Sequence, residues 1–428
     1  MMFDISAIPT SIVSFLLAFT YVYPLFMAYM WMFGGVYYRL HWESHDGDDW
    51  QHPEPLPHYP HVTVMLPCHN EGDLVVETLS YLLDLEYPDY DVIAINDGST
   101  DNTGAILDEQ VKLHEKLRVI HLATNQGKAM ALNTAALMTD SEYLVCIDGD
   151  ALLDRRALHW LMSHFTRSPR VGAVTGNPRI RNRTSLLGKI QVGEFSCIIG
   201  LIKRAQRIYG RVFTVSGVVV AFRKAALQKI GYWSPDMITE DIDVSWRLQL
   251  AHWDVRYEPN ALCWILMPET LKGLFKQRTR WAQGGAETWL RYLPKMMRWK
   301  KRRMWPVALE YIISVLWSYT LVGVVLLWAL GKIVSLPDYL YVRSLLPGWT
   351  GVILACTCLL QFLVSMIIDS RYERGITRYY YWIVWYPLAY WMLNVATTVC
   401  GFPKAIFKKK GQRAVWKSPD RGLQSRDN

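Results

Sequence analysis

Four stretches of the chain carry no charged side chain, and they constrain the fold more than any other feature. No Asp, Glu, Lys or Arg occurs in residues 5–38, 311–331, 344–368 and 379–403. Each stretch is long enough for a transmembrane helix, which needs about 20 predominantly apolar residues. The charged and patterned region between the first two, residues 60–300, is typical of a water-soluble domain. The sequence therefore predicts a soluble domain held between membrane helices.

The pattern divides the chain into six parts. They are an N-terminal transmembrane anchor (1–40), a linker (41–60), a soluble α/β domain (61–270), amphipathic interfacial helices (271–304), transmembrane segments (305–403) and a basic tail (404–428). The anchor is not read as a cleaved signal, because it lacks a basic leading region and its uncharged run is too long. Six Lys and Arg residues between 295 and 303 precede the second apolar stretch. The positive-inside rule therefore predicts a cytoplasmic soluble domain.

The side of the membrane that holds the tail is left open by the sequence. Three apolar stretches after the soluble domain would place the tail outside. Its basic residues, among them Lys404, Lys408 and Arg413, instead favour the cytoplasm. The two indications agree only if one stretch lies along the membrane or re-enters it, or if the first stretch is miscounted.

Charge and cysteine usage exclude several classes of protein. The net charge of +8 comes largely from basic clusters that flank apolar stretches, so nucleic-acid binding is not the favoured interpretation. Seven cysteines are scattered without a Cys-x-x-Cys pair. A disulfide framework and a zinc site are therefore not expected.

The soluble region alternates short apolar strands with helical segments, which predicts an α/β fold with a mostly parallel sheet. Ser99 or Thr100 is expected to cap the helix after the second strand. Ser216 and Gly217 interrupt a later apolar run, as where a backbone approaches a ligand closely. The predicted strands are 62–66, 91–95, 118–122, 143–147 and 171–176, and the later apolar run is 213–222.

Polar turns follow three of these strands. They are Asn70-Glu71, Asp97-Gly98 and Asp148-Gly149-Asp150. Carboxyl ends of parallel strands meet at one sheet edge, where ligands bind in open α/β sheets. Gly149 permits a tight turn, so Asp148 and Asp150 can approach one cation, and magnesium takes one or two protein carboxylates together with phosphate oxygens. The three turns together favour a nucleotide site over three ordinary surface turns, and no Gly-x-Gly-x-x-Gly or P-loop pattern is present.

Two later motifs carry further candidate chemistry. In Thr239-Glu240-Asp241-Ile242-Asp243, the acidic residues are either ordinary helix N-terminal residues or include a general base. Gln277, Arg280 and Trp281 share one helical face. An arginine suits a diphosphate and a tryptophan suits stacking on a sugar, whereas the competing interpretation is an interfacial helix with a belt tryptophan.

With these motifs in hand, the chain resembles the processive, membrane-integrated glycosyltransferases of family 2, which include cellulose, chitin and hyaluronan synthases. The resemblance rests on the ordered motifs above, beginning at Pro67, and extends into the membrane segments. More closely, the chain resembles the bacterial poly-β-1,6-N-acetylglucosamine (PNAG) synthases of biofilm systems. The stretches that carry this closer resemblance are 176–181, 188–194, 264–270 and 418–422.

The resemblance implies a GT-A (Rossmann-like) fold and a role for each motif. Asp241 is implied as the catalytic base, and Asp148 and Asp150 as ligands of Mg²⁺ (or Mn²⁺). Trp281 and Glu240 are implied to bind the acceptor. The residues implied to bind the nucleotide sugar are Asn70, Glu71, Asp97, Lys128, Asp148, Gln277 and Arg280. A helix N-terminus would weaken Asp241 as a base, and apolar neighbours such as Trp233 or Trp246 would offset this effect.

The resemblance further implies synthesis of PNAG from UDP-N-acetylglucosamine and its export across a bacterial inner membrane. It also implies a small membrane partner subunit and activation by cyclic di-GMP. The chain departs from the family at Asn96, where an aspartate is frequent, and at His69, where an aromatic residue is common. Three alternatives stay open: a chitin-type or hyaluronan-type synthase, a single-transfer enzyme acting on a lipid-linked sugar, and an inactive scaffold.

Overall fold

The structure is a computed structural model that describes residues 7–43, 51–342, 344–345, 348–409, 411 and 413–414. Its strands form an eight-stranded sheet of order β3-β2-β1-β4-β7-β6-β8-β5. β1 pairs in parallel with β2 and β4, and β2 with β3, whereas β7 is antiparallel to β4 and β6. The predicted α/β class is confirmed. The strands are β1 Val62–Cys68, β2 Tyr90–Asp97, β3 Leu117–Leu122, β4 Tyr143–Ile147, β5 Leu152–Leu153, β6 Val171–Ile180, β7 Val219–Arg223 and β8 Asp254–Ile265.

Helices cover both faces of the sheet and continue on either side of the soluble domain. Short π-helical or 3₁₀ turns join several of them, at Arg39–Glu43, Ser196–Ile202, Trp299–Met304, Asp338–Leu340, Ile376–Tyr379 and Tyr386–Tyr390. The α-helices are α1 Ala7–Tyr38, α2 Val75–Leu83, α3 Thr103–Leu113, α4 Lys128–Leu137, α5 Ala157–Arg167, α6 Leu186–Phe195, α7 Lys203–Tyr209, α8 Lys224–Ile230, α9 Glu240–Leu250, α10 Leu271–Met296, α11 Trp305–Leu330, α12 Trp349–Asp369, α13 Tyr380–Ile383 and α14 Trp391–Ile406.

The sheet separates two apolar layers, as expected for strands that are buried on both faces. Val64 and Leu66 of β1 face one layer, which includes side chains of α2 and α5 and continues to α12. Met65 faces the other layer, which includes side chains of α4, α8 and α9. The core of the soluble domain is therefore continuous with a helix of the apolar C-terminal region.

Among the described residues, three helices are long and apolar enough to cross a membrane. They are Ser14–Glu43, Trp299–Leu330 and Trp349–Asp369. The first predicted stretch lies in α1 and its terminal turn, and the second and third lie in α11 and α12. The chain is thus built as a membrane-associated protein.

The fourth predicted stretch, 379–403, does not form one long helix. It is divided into α13, the π-helical turn Tyr386–Tyr390 and the 16-residue α14. α14 packs along α10, and Gly401 lies so close that an added Cβ would stand 2.7 Å from Ala282 Cβ. Within the described part of the chain, this stretch is therefore not among the helices long and apolar enough to cross a membrane, and its place in the membrane stays a prediction.

The C-terminal tail contacts the soluble domain. Lys408 Nζ lies 2.8 Å from Glu287 Oε2 and donates to the carbonyl of Asp236, and the backbone of Ala414 donates to Pro235. These contacts place the described residues of 408–414 beside the soluble domain, and three candidate spans would place the tail on the same side. The stretch 418–422, quoted for the family resemblance, lies outside the described residues.

The predicted linker 41–60 begins later than expected. Residues 39–43 continue the anchor as a π-helical turn, and Glu43 is buried with its carboxylate 2.5 Å from Arg204 Nε. Residues 44–50 are outside the described part of the chain, and residues 51–61 are irregular.

Candidate active site

The carboxylates after β4 lie at the sheet edge, as predicted. All five residues of β4 are buried, and the strand ends directly before Asp148. The carbonyl of Gly149 accepts a hydrogen bond from Thr78 Oγ1 (2.9 Å), and a Cβ on Gly149 would meet Glu71 Cγ at 3.0 Å. Any other residue would force Glu71 to shift, so glycine suits the point where the turn passes Glu71. The close packing brings the predicted Asn70-Glu71 turn against the predicted metal turn.

Lys128 provides a cation at the centre of this edge. Its Nζ lies 2.5 Å from Asp148 Oδ1, 3.2 Å from Glu240 Oε1 and 3.1 Å from the carbonyl oxygen of Gly217. Burial alone would lower the pKa of Lys128, but Asp148 and Glu240 outweigh burial and raise that pKa. The residue therefore stays charged, which suits it to hold an anionic ligand.

Asp241 lies in the first turn of α9, beside the same cation. Burial and the charge of Glu240 raise the pKa of Asp241 to about 6, although Lys128, Arg280 and the Ile242 backbone amide act in the opposite direction. A carboxylate with this pKa is deprotonated at neutral pH and is still basic enough to accept a proton.

The apolar surroundings expected around Asp241 come from one of the two tryptophans named above. Trp233 is buried and lines a small cavity together with Asp241 and Glu240. Trp246 instead donates from Nε1 to the carbonyl of Phe213 and packs toward α10 and α11.

The run 213–222 is a loop followed by β7, because the strand begins only at Val219. Gly217 approaches the site closely, since a Cβ there would lie 3.3 Å from both Asp241 Oδ2 and Lys128 Nζ. This position agrees with the interpretation of Ser216-Gly217 as a close backbone approach.

Sequence analysis missed Lys203, which lies behind this loop. Its buried Nζ donates to Ser216 Oγ (2.8 Å), and burial lowers the pKa of Lys203 to about 7 while Asp241 opposes that shift. The one signal in the sequence is a lysine that follows the apolar run 195–202.

Hydrogen bonds connect the first two polar turns. Asn70 adopts φ 56°, and its Oδ1 accepts from the Thr100 backbone amide (2.8 Å). Asp97 is fully buried and accepts from the backbone amides of Gln126 (2.7 Å) and Gly127 (2.8 Å). Asp97 thereby fixes the loop that presents Lys128, and its implied contact with the nucleotide sugar stays a prediction.

The predicted cap of α3 is wrong. The helix begins at Thr103, and Asp101 accepts from the Thr103 backbone amide (3.0 Å). Ser99 Oγ instead accepts from the Asn70 backbone amide (3.0 Å). The polar residues of this loop thus join two turns instead of ending a helix.

Packing of α10 against the start of α9 places the motif of Gln277, Arg280 and Trp281 near the site. Gly284 of α10 packs directly against Thr239, where any side chain would overlap the threonine. Arg280 is exposed, and its charge acts on Asp241. Gln277 is half-buried, and its Oε1 has no hydrogen-bond partner among the described residues.

Trp281 is half-buried and faces α6. Its ring centroid lies 6.4 Å from that of Phe195, and Arg278 Cζ lies 4.2 Å from the Trp281 ring centroid. Arg278, which sequence analysis did not select, forms a buried pair with Glu194 (2.5 Å), and Tyr390 donates to the same carboxylate. The pair fixes one face of α10 against α6 and the segment before α14.

The donor set at the sheet edge fits a hard divalent cation. The described residues contain no group of three or more His, Cys, Asp or Glu side chains placed to hold a metal. Asp148 and Asp150 are separated only by Gly149 and follow the buried strand β4 directly. Two carboxylates suit Mg²⁺ or Mn²⁺, whose other ligands are water and phosphate oxygens.

The sheet, its carboxylate edge and the flanking apolar helices define a membrane-associated glycosyltransferase with a GT-A-like domain. Residues 60–284 match the family described as "Glycosyltransferase like family 2". The chain belongs to glycosyltransferase family 2.

Relatives match over nearly the whole chain. A poly-β-1,6-N-acetyl-D-glucosamine synthase of Staphylococcus epidermidis is 42% identical over 406 residues, which are 94% of this chain and 98% of the relative. The enzyme of the same name from Staphylococcus aureus (strain MSSA476) is 40% identical over 408 residues, 95% of this chain and 99% of the relative.

A solved structure shares the fold. It is the mannosyltransferase PcManGT from Pyrobaculum calidifontis in complex with GDP-Man and Mn²⁺. The TM-score is 0.63 at 20% identity, and the match covers 94% of this chain and 100% of the other. At this identity the likeness concerns the fold alone.

Proposed function

We propose that this protein is a processive, inverting synthase that polymerises N-acetylglucosamine from UDP-N-acetylglucosamine into PNAG for a biofilm matrix. The observation that carries the proposal is the juxtaposition of Asp241, Lys128 and the Asp148–Asp150 turn in a chain of full-length similarity to synthases of that name. An inactive scaffold would not need a buried carboxylate with a pKa near neutrality.

Donor binding is assigned to the sheet edge. Asp148 and Asp150 would hold Mg²⁺ or Mn²⁺, and a divalent cation bound there would neutralise charge on the diphosphate. Lys128 and Arg280 would hold the diphosphate oxygens from the protein side. Asn70, Glu71 and Asp97 would shape the nucleotide pocket, with Asp97 acting through the Gln126–Gly127 amides.

Asp241 acts as the general base in this proposal. It takes the proton from the acceptor 6-hydroxyl while that oxygen attacks the anomeric carbon of the donor and the bond to UDP breaks. Attack from the face opposite UDP inverts the anomeric centre and gives the β-linkage. Glu240 would orient the acceptor, and Trp281 would stack on the sugar at its end.

The setting is assigned to a bacterial inner membrane with the catalytic domain in the cytoplasm. The supports are the basic residues at 295–303 and the contact of residues 408–414 with the catalytic domain. Export of the polymer through the helices of this chain, a small membrane partner subunit and activation by cyclic di-GMP belong to the proposal on family resemblance.

Linkage analysis of the product tests the assignment. Membranes containing the protein are incubated with UDP-N-acetylglucosamine, with and without UDP-glucuronic acid, and the polymer is methylated and analysed. We expect 1,6-linked N-acetylglucosamine from the single donor. A 1,4-linked homopolymer would indicate a chitin-type synthase, and a requirement for both donors a hyaluronan-type synthase.

Metal dependence is tested separately. Asp150→Ala should reduce turnover to background while the protein remains folded, and EDTA should do the same to the unmodified protein until Mg²⁺ or Mn²⁺ is restored. Full activity of the variant, or of the wild type in excess EDTA, would contradict the metal assignment.

A further inference from the structure

A cavity of about 190 Å³ lies where the anchor meets the catalytic domain, away from the predicted active-site residues. Tyr38 and Trp42 line it from the anchor side, and His164, Arg207 and Arg256 line it from the catalytic domain. Tyr38 is held in place by a hydrogen bond from its hydroxyl to the carbonyl of Tyr257 (3.2 Å).

Among the described residues, cations outnumber carboxylates around the cavity. The carboxylate of Asp254 lies 3.0 Å from Arg207, 2.8 Å from Arg256 and 3.9 Å from Arg211. One carboxylate cannot neutralise three guanidinium groups, so a local excess of positive charge remains. His164 lies 2.7 Å from Glu258, which adds a second carboxylate, so the three guanidinium groups exceed the nearby carboxylates by one.

More positive charge lies close by. Burial lowers the pKa of Arg211, Asp254 opposes this shift, and the charges of Arg303, Arg207 and Arg170 add to the lowering. Burial is the largest cause of the lowered pKa and the neighbouring cations add to it, so an anion bound nearby would stabilise the protonated form of Arg211.

The cavity lies at the end of the first candidate membrane span. Tyr38 and Trp42 belong to the last turns of the span Ser14–Glu43, and tyrosine and tryptophan are enriched at the depth of lipid headgroups. On the other side, a Cβ added at Gly210 would lie 3.8 Å from the ring of Pro306, near the start of α11 in the second span.

We propose that this cavity binds the phosphodiester headgroup of an anionic phospholipid. Guanidinium groups at Arg207 and Arg256 suit phosphate oxygens, and the aromatic wall suits the glycerol and upper acyl carbons. The volume is below the roughly 300–1,000 Å³ of pockets for drug-sized ligands, which favours one headgroup over a dinucleotide. A lipid fits better than free phosphate because the cavity lies beside two membrane spans.

Native mass spectrometry of the full-length protein in detergent tests the proposal. The wild type is titrated with phosphatidylglycerol and with zwitterionic phosphatidylcholine. Arg256→Gln and the double variant Arg207→Gln/Arg256→Gln remove cavity charge. The control Arg298→Gln/Lys300→Gln removes the same charge as the double variant from exposed positions outside the cavity.

We expect one retained phosphatidylglycerol per protein and weak retention of phosphatidylcholine. Apparent affinity for phosphatidylglycerol should fall about tenfold in Arg256→Gln and further in the double variant, as expected for lost hydrogen bonds to a charged group. The control should match the wild type. Arg256→Gln leaves the bonds of Arg207 to Asp254 and Val255, so its melting temperature should stay close to that of the wild type.

Equal affinity of the wild type and Arg256→Gln for phosphatidylglycerol overturns the proposal, as does an equal loss in the control. Inorganic phosphate and cyclic di-GMP are added separately to lipid-depleted protein. Binding of either one that depends on Arg256 and displaces phosphatidylglycerol would assign the cavity to a soluble phosphate compound and overturn the lipid assignment.

Discussion

Two buried groups of charges in this protein differ in how completely each charge is paired with an opposite one. At the junction with the membrane helices, Arg179 and Arg204 both pair with Asp369 (2.6 and 3.0 Å), and Arg204 also pairs with Glu43. In the active site, Lys203 has no carboxylate within 4 Å in the described part of the chain, and burial raises the pKa of Asp241.

The difference indicates a structural role for the charges at the junction and a chemical role for those in the active site. Paired charges at the junction join β6, α7 and the ends of two membrane helices, and removing one partner would leave a buried charge uncompensated. In the active site, incomplete compensation leaves groups that titrate near neutral pH, which is a property of catalytic residues. The following predictions test whether the two groups of charges behave differently.

The largest effect is expected for Asp241→Asn. Loss of the proton acceptor should reduce polymer synthesis by about 10²–10⁴-fold, the usual contribution of a positioned base. UDP affinity should persist, because Asp148, Lys128 and Arg280 remain. Incorporation of N-acetylglucosamine and UDP affinity are measured on one preparation.

Asp243→Asn serves as the matched control on the same helix turn. Asp243 accepts from Tyr292 (2.6 Å) and pairs with Arg247, so its replacement should lower thermal stability more than turnover per folded molecule. If Asp241→Asn retained near-normal synthesis, Asp241 would not be the general base.

At the junction, Asp369→Asn should mainly affect stability. Two buried arginines would lose a shared partner, and breaking a buried pair costs about 3–5 kcal/mol. We expect a clearly lower melting temperature in detergent with turnover per folded molecule retained. Glu373→Gln, at a more exposed member of the same group, should have a smaller effect. If Asp369→Asn were stable but inactive, the paired charges at the junction would also have a role in catalysis.

The pH dependence of the rate should report Asp241. Its carboxylate must be deprotonated to accept a proton, so kcat/KM should fall as pH drops through about 6 and level off above it. Asp241→Asn should lose this acidic limb. If the acidic limb of kcat/KM in the wild type lay near pH 4, burial would not determine the pKa of Asp241 in the working enzyme.

The smallest effect is expected for Lys203→Met. Its ammonium acts on Asp241, so removing a positive charge should shift the acidic limb of the rate upward by about one pH unit or less. Lys203→Arg should keep the limb nearer its original position. An unchanged limb in the Met variant would leave Lys203 with only a packing role beneath Ser216.

The sequence alone determined the order of the strand-end motifs and the positions of three membrane-length helices. A short apolar run that stops at Asp148 is typical of a buried strand with its carboxylates at the end, because burial and turn formation depend on local residue types. The α/β class, the edge shared by Asp97 and Asp148, and the soluble region between spans followed from such local signals.

Only the tertiary structure decided properties that depend on distant partners. The stretch 379–403 is apolar enough to cross a membrane, yet it is broken and packs along α10. Lys203 is 38 residues from Asp241 in sequence, yet the charge of Asp241 acts on the pKa of Lys203. The pKa of Asp241 itself depends on how far burial exceeds the pull of Lys128, Arg280 and a helix amide. Burial and distance are set by packing, and no local pattern encodes them.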